Sequence, residues 1–249
     1  MFKDSYPEFM PKHVLKAEQI NLLRDFPREF AALEYAGYSD GILLGCRLAA
    51  SDTICAAPGV ILRRGVFYRM MKPFMLPYEP ADALRYVNVR FTEDALSEDI
   101  VSRSAEIVLE DAPAGEDGME LARFKLKNGS RLRSDYTDFE DLDTEFDTLR
   151  LTHAPCAGKG GNTLHPFITE YFAKEALACR PENPLDIQFA FFCIQNSRVN
   201  LGVLRHYTGE ESGDTHRLYL ALRKKLADIR AGRSERPKAE RQYRKISVD

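Results

Sequence analysis

The chain has 249 residues, enough for one large domain or two small ones at about 150 residues per domain. It carries 35 basic and 38 acidic residues, net −3, and 44% of it is hydrophobic and 29% charged. These values fit a soluble globular protein and argue against a collagen-like chain or a surface given over to nucleic acid. The longest apolar run, around Phe189 to Ile194, falls short of the ~18 residues of a membrane span.

The first residues, Met1-Phe2-Lys3-Asp4-Ser5, show no basic stretch leading into an apolar segment, so no secretory signal is expected. Next comes Tyr6-Pro7-Glu8-Phe9-Met10-Pro11, which reads as an extended aromatic arm. Phe2, Tyr6 and Phe9 are its candidate partner contacts. From Lys16 to Tyr35, Leu15, Gln19, Leu22, Leu23, Phe26, Phe30 and Leu33 recur at helical spacing and predict one buried face. Pro27 should end or kink that helix near Phe26. Arm and helix make up residues 1–37.

Residues 38–133 read as a β-domain. Ser39-Asp40-Gly41 and Pro58-Gly59 are turn signals. Strands are predicted at Ile42–Leu48, Thr53–Ala56, Val60–Arg63, Val66–Met70, Phe74–Tyr78, Tyr86–Phe91, Ser104–Glu110 and Leu121–Leu126. With no helical pattern between them, they predict an antiparallel sandwich or barrel-like unit. Gly41, Gly45, Gly59 and Gly65 are expected to serve its turns, with positive φ at Gly41 and Gly59.

Residues 134–148 form an acidic connector, rich in Asp and Glu interleaved with Tyr136, Phe139, Leu142 and Phe146. Residues 149–231 read as a helical domain. Its first helix carries Leu164, Phe167, Ile168, Tyr171 and Phe172, capped by Asn162 or Thr163. A second, Leu185–Asn196, is apolar nearly all round and so is expected to be central. Val199–Tyr207 and a stretch holding Leu218, Tyr219, Leu222, Leu226 and Ile229 complete it. Residues 232–249 are a basic tail. The fold class is α+β.

Several chemical motifs fail. The loop Ala157 to Thr163 lacks the phosphate-loop pattern, because Lys159 is followed by Gly and the upstream glycine position is His153. It is read as a flexible contact loop, with anion binding by Gly158–Gly161 left open. The run Asp141 to Thr152 has Phe146 and Thr152 where a calcium loop needs Gly and Glu. It is read as a solvated acidic stretch or a contact for a basic partner. His153, Cys156, His165 and Cys179 match no zinc spacing, and no signature supports Cys156 as a nucleophile. Five scattered cysteines suit reduced thiols in a cytoplasm. No catalytic residue, metal or cofactor is expected.

From Arg217 onward eleven basic residues face four acidic ones, a balance of +7 that leaves −10 for the rest. Arg233, Arg236, Arg241 and Arg244 are the candidate contacts there, toward an acidic subunit surface or, less favoured, nucleic acid, with a simply solvated tail as the other reading.

Two stretches carry a resemblance. Tyr38 to Gly45, then Ala57-Pro58-Gly59-Val60-Ile61 and Gly65-Val66-Phe67-Tyr68, resemble a β-module of phage tail and baseplate proteins. Phe26-Pro27-Arg28-Glu29, Ser39-Asp40-Gly41-Ile42, Ala122 to Leu126, Tyr136-Thr137-Asp138-Phe139 and Thr144 to Thr148 are similar to a Firmicutes family of phage-tail-like contractile injection particles. That family is often labelled "DNA and RNA helicase", which the failed phosphate loop contradicts. The order of helix, β-module and helical part is more loosely similar to the baseplate adaptor of type VI secretion systems. The resemblance implies a structural baseplate or tail subunit, with other particle subunits as partners, a homo-oligomer left open and no membrane. It supplies no catalytic residues. A nucleic-acid module using the tail, or an unrecognised hydrolase, is the competing expectation.

Overall fold

The computed structural model describes residues 4–12, 14–92, 95–97, 100–196 and 198–233, with the backbone alone at 95–97. It is an α+β fold whose strands pair in antiparallel sheets that do not close into a barrel. The first sheet holds β1 (Gly41–Gly45), β4 (Gly59–Arg63) and β5 (Val66–Met70), with β4 central. The second holds β7 (Leu84–Phe91) between β10 (Ala105–Glu110) and β11 (Gly118–Lys125). A third joins β2 (Leu48–Ala50), β3 (Ile54–Ala56) and β6 (Phe74–Leu76), and β8 (Ala95–Ser97) pairs with β9 (Ile100–Ser102).

Alternation places the side chains. In β7, Val87 and Val89 are buried on one face and Asn88 on the other, and in β11 Phe124 is buried while Arg123 and Lys125 stay half-exposed. A bulge in β1 between Ile42 and Leu44 breaks the register. Consecutive Ile42 and Leu43 both bury there: Ile42 joins the main core, and Leu43 a small second cluster with Leu62 and Ala157.

The helices are α1 (Ala17–Glu34), α2 (Pro166–Ala178), α3 (Pro184–Gln195), α4 (Leu201–Thr208) and α5 (Thr215–Arg230). α3 and α5 pack on α2, and α4 packs on α5. The cap of α2 is His165, whose Nδ1 accepts from the Phe167 amide at 3.2 Å, and not Asn162 or Thr163. Pro166 at the first helical position fixes the start there. Asn183, Asn200 and Asp214 cap α3, α4 and α5 with side-chain oxygens.

Two helix expectations fail. α1 runs through Pro27 and buries no residue. Because the helix lies at the surface, the carbonyl that Pro27 leaves without a donor can be solvated. α3 is not enclosed: Phe189, Ala190 and Cys193 are buried, but Leu185, Phe191, Phe192 and Ile194 are exposed on its outer side.

One buried cluster runs from Ile42, Ile54, Val87 and Phe124 in the sheets to Phe172, Leu204 and Leu222 in the helices. The acidic stretch threads it. Phe139 and Leu142 are fully buried, and the Phe139 ring lies 5.8 Å from Phe172 and 5.0 Å from Tyr219.

Candidate functional site

Two features are candidates for a functional site: an apolar surface at the N-terminal end and a half-buried cluster of two histidines and a carboxylate.

The surface is built by α1 and the arm before it. Leu15, Ile20, Leu22, Leu23, Phe26, Phe30 and Leu33 are all exposed, Phe26 at 66% and Leu33 at 77%. Tyr6, Phe9 and Met10 of the arm are exposed as well. Gln19 Nε2 donates to the Glu8 carbonyl at 3.4 Å, which lays the arm beside the helix. The helix is tethered at its C-terminal end, where the Tyr35 ring packs edge-on against Tyr38 at 5.3 Å and Phe67 at 5.8 Å. Monomeric soluble proteins rarely leave such a run of large apolar side chains in water.

The remaining predicted contacts divide. Arg233 is exposed just beyond α5, and its amide donates to the Asp228 carbonyl at 2.9 Å. Phe2, Arg236, Arg241 and Arg244 lie outside the described residues.

The four glycines do different things. Arg64 and Gly65, both at positive φ, form the two-residue tip between β4 and β5. Gly45 sits at φ +60°, and a Cβ there would lie 2.1 Å from the Pro58 carbonyl oxygen. Gly41 has φ +155°, and a Cβ there would lie 2.6 Å from the Ala157 nitrogen. Gly59 departs from expectation: its φ is not positive, and space is what excludes a side chain, since a Cβ would meet the Cys46 nitrogen at 2.4 Å.

The glycine loop spends its amides internally. Gly158 N donates to Ser39 Oγ at 3.1 Å, Gly160 N to the Gly37 carbonyl at 3.4 Å and Gly161 N to the Gly158 carbonyl at 3.4 Å. Asn200 Nδ2 holds the Lys159 carbonyl at 3.3 Å. An anion cradle needs such amides free and convergent.

The acidic stretch is solvated only in part: Asp135, Glu140 and Glu145 are exposed, whereas its middle is paired within the chain. Asp141 is buried and accepts from both terminal nitrogens of Arg133, from Thr137 N at 2.9 Å and from Thr144 Oγ1 at 2.8 Å. The Arg133 hydrogen bonds, aided by those from Thr137 and Thr144, hold this carboxyl well below the usual range despite its burial. Glu140 and Glu175 both accept from Arg230 at the end of α5.

Asp143 leads to the second feature. Its Oδ1 accepts from Arg150 Nε at 2.9 Å and from Thr152 Oγ1 at 3.4 Å, and its Oδ2 lies 3.0 Å from His216 Nε2. His216 is in the first turn of α5, and its ring stacks on His153 at 4.1 Å and 24°. The Nε2 of His153 is buried with no hydrogen-bond partner. Burial, helped by the nearby charges of Arg123 and Arg150, pushes His153 down to about 3. Asp143 is pulled to about 2: burial raises it, but the hydrogen bond from His216 and the Arg150 charge outweigh that. Arg123 does not stand uncompensated, since its Nε donates to Glu120 at 2.6 Å.

The sequence set His153, Cys156, His165 and Cys179 does not assemble. Among the described residues the only group of three or more ligating side chains brought together is Asp143, His153 and His216. No spacing could have shown it. Cys156 is fully buried, and burial pushes its thiol up to about 12, so it holds no thiolate at neutral pH. No described helix is long and apolar enough to cross a membrane.

No family model and no curated protein matches the chain. Among solved structures it is similar to TssK, at 10% identity and a TM-score of 0.41, over 94% of this chain and 73% of that one. No residue role is carried across from that likeness.

Proposed function

We propose that this chain is a structural subunit of a phage-tail-like contractile particle, placed in its baseplate or tail, and that it works by contact and not by catalysis. The observation that carries this is α1: an 18-residue helix with a full apolar face and no buried residue. A side of that kind is completed by a neighbour. The segments similar to contractile-particle proteins supply the kind of neighbour. In this reading the β part, 38–133, and the helical part, 149–231, offer further contact surfaces, and the basic tail supports docking on an acidic subunit.

The test is retention. A Leu23→Ser, Phe26→Ser, Phe30→Ser variant keeps its melting temperature, because none of the three belongs to the core. It is lost from particles purified from cells that express it. Wild-type retention of the folded variant would remove α1 as the contact and, with it, the observation behind the proposal.

A further inference from the structure

We propose that Asp143, His153 and His216 form a binding site for one divalent transition-metal ion of the zinc class, which clasps the acidic connector to the first turn of α5. One ligating atom from each residue lies within 4.8 Å of the other two. Four-coordinate zinc with bonds of about 2.0–2.1 Å sets its ligand atoms about 3.3 Å apart. The Asp143–His216 pair, at 3.0 Å, is close to that already. Closing the third side requires the His153 ring, now stacked on His216, to turn its Nε2 toward that pair.

The donor set selects the metal class. Two imidazoles and one carboxylate suit zinc and its borderline neighbours, whereas magnesium and calcium ask for oxygen ligands throughout. The buried, unpartnered Nε2 of His153 is an independent sign that the cluster lacks a partner, because buried polar atoms are nearly always satisfied. The surroundings supply the support that ligating carboxylates ordinarily have. Asp143 Oδ1 is held by Arg150 and Thr152, which leaves Oδ2 toward His216. The two guanidinium groups nearby do not make the site cationic, since Arg150 is paired with Asp143 and Arg123 with Glu120.

An ion here would join three segments that the chain brings together only on folding: the end of the Glu140–Asp143 turn, the loop at His153 and the start of α5. Its role would be structural, and a fourth position would be left for water.

The experiment uses the full chain without a histidine tag, stripped with a chelator and dialysed. Zinc(II) is titrated, bound metal is counted by mass spectrometry, and cobalt(II) is used as a spectroscopic probe. The expected result is one equivalent bound, a melting temperature raised by several degrees, and a cobalt spectrum without the intense thiolate charge-transfer band. His153→Gln should weaken zinc at least tenfold, measured on protein that circular dichroism shows to be folded, since the change removes one ligand together with the ring stacked on His216. Cys179→Ser should bind as the parent does. Failure to bind at 100-fold molar excess would overturn the proposal, as would equal affinity in His153→Gln or a thiolate band from cobalt. No particle is needed, so the outcome is independent of the assembly role.

Discussion

α1 and α5 are both long amphipathic helices, of 18 and 16 residues, and the fold treats them oppositely. α5 buries Leu218, Tyr219, Leu222, Leu226 and Ile229, and its Tyr219 hydroxyl donates to the Phe139 carbonyl at 2.9 Å. α1 buries nothing. Their ends differ too. Asp214 caps α5 through the Arg217 amide at 2.8 Å, and Arg230 ties its last turn to Glu140 and Glu175. α1 has Gln19 folded back onto the Lys16 amide at 3.1 Å and a proline in its interior. Periodicity therefore reports that a helix has an apolar face, and says nothing of whether the same chain covers it.

The largest effect should separate the two helices by one matched substitution. Leu222→Ala leaves a cavity under a fully buried leucine and should lower stability by about 3 kcal/mol. That is roughly 6–12 °C in melting temperature for a chain of this size. Leu23→Ala on α1 should stay within about 0.5 kcal/mol. Similar losses in paired thermal melts would mean that α1 is covered by its own chain and would break the comparison.

Alkali should act on the core side alone. Burial pushes the Tyr219 phenol in α5 and the Tyr136 phenol beside α2 above their usual range. The unfolded phenols ionise near pH 10, while the folded ones keep their protons. The unfolded state therefore binds fewer protons above that pH, and stability falls as pH rises. Each should remove about 1.4 kcal/mol by pH ~11. Tyr219→Phe should flatten part of the slope in a pH series of denaturant midpoints. An unchanged slope would show that Tyr219 is not a source of it.

The caps give a smaller contrast. Asp214→Ala should cost about 1 kcal/mol, or 2–4 °C, by freeing the first-turn amide of Arg217. Gln19→Ala should leave the global melt unchanged and show only as faster amide exchange in the first turn of α1. A measurable loss of global stability there would tie α1 to the cooperative core.

Thiol labelling sharpens the picture at no cost to stability. Cys179 is exposed and Cys55 partly so, whereas Cys46, Cys156 and Cys193 are buried with their thiols pushed up to about 11, 12 and 12. In the folded protein a maleimide should reach Cys179 first and the three buried thiols only on unfolding. Early labelling of Cys193 would show that α3 opens from α2.

Much of this protein was determined by its sequence alone. The strand at Tyr86–Phe91 and the buried stripe of α5 follow from periods of two and 3.6, which need no knowledge of the partner element. Turn chemistry at Asp40-Gly41 placed a glycine at positive φ, and at Pro58-Gly59 it placed one whose φ is not positive. Only the tertiary structure decided what each face meets. It left the apolar face of α1 and the outer face of α3 in solvent, and it buried Asp141 by supplying Arg133. It also set Asp143, His153 and His216 together, residues ten and sixty-three positions apart. Local backbone preference acts over a few residues, so it fixes elements and their faces. Which faces pair, and which distant side chains converge, is settled by packing across the whole chain.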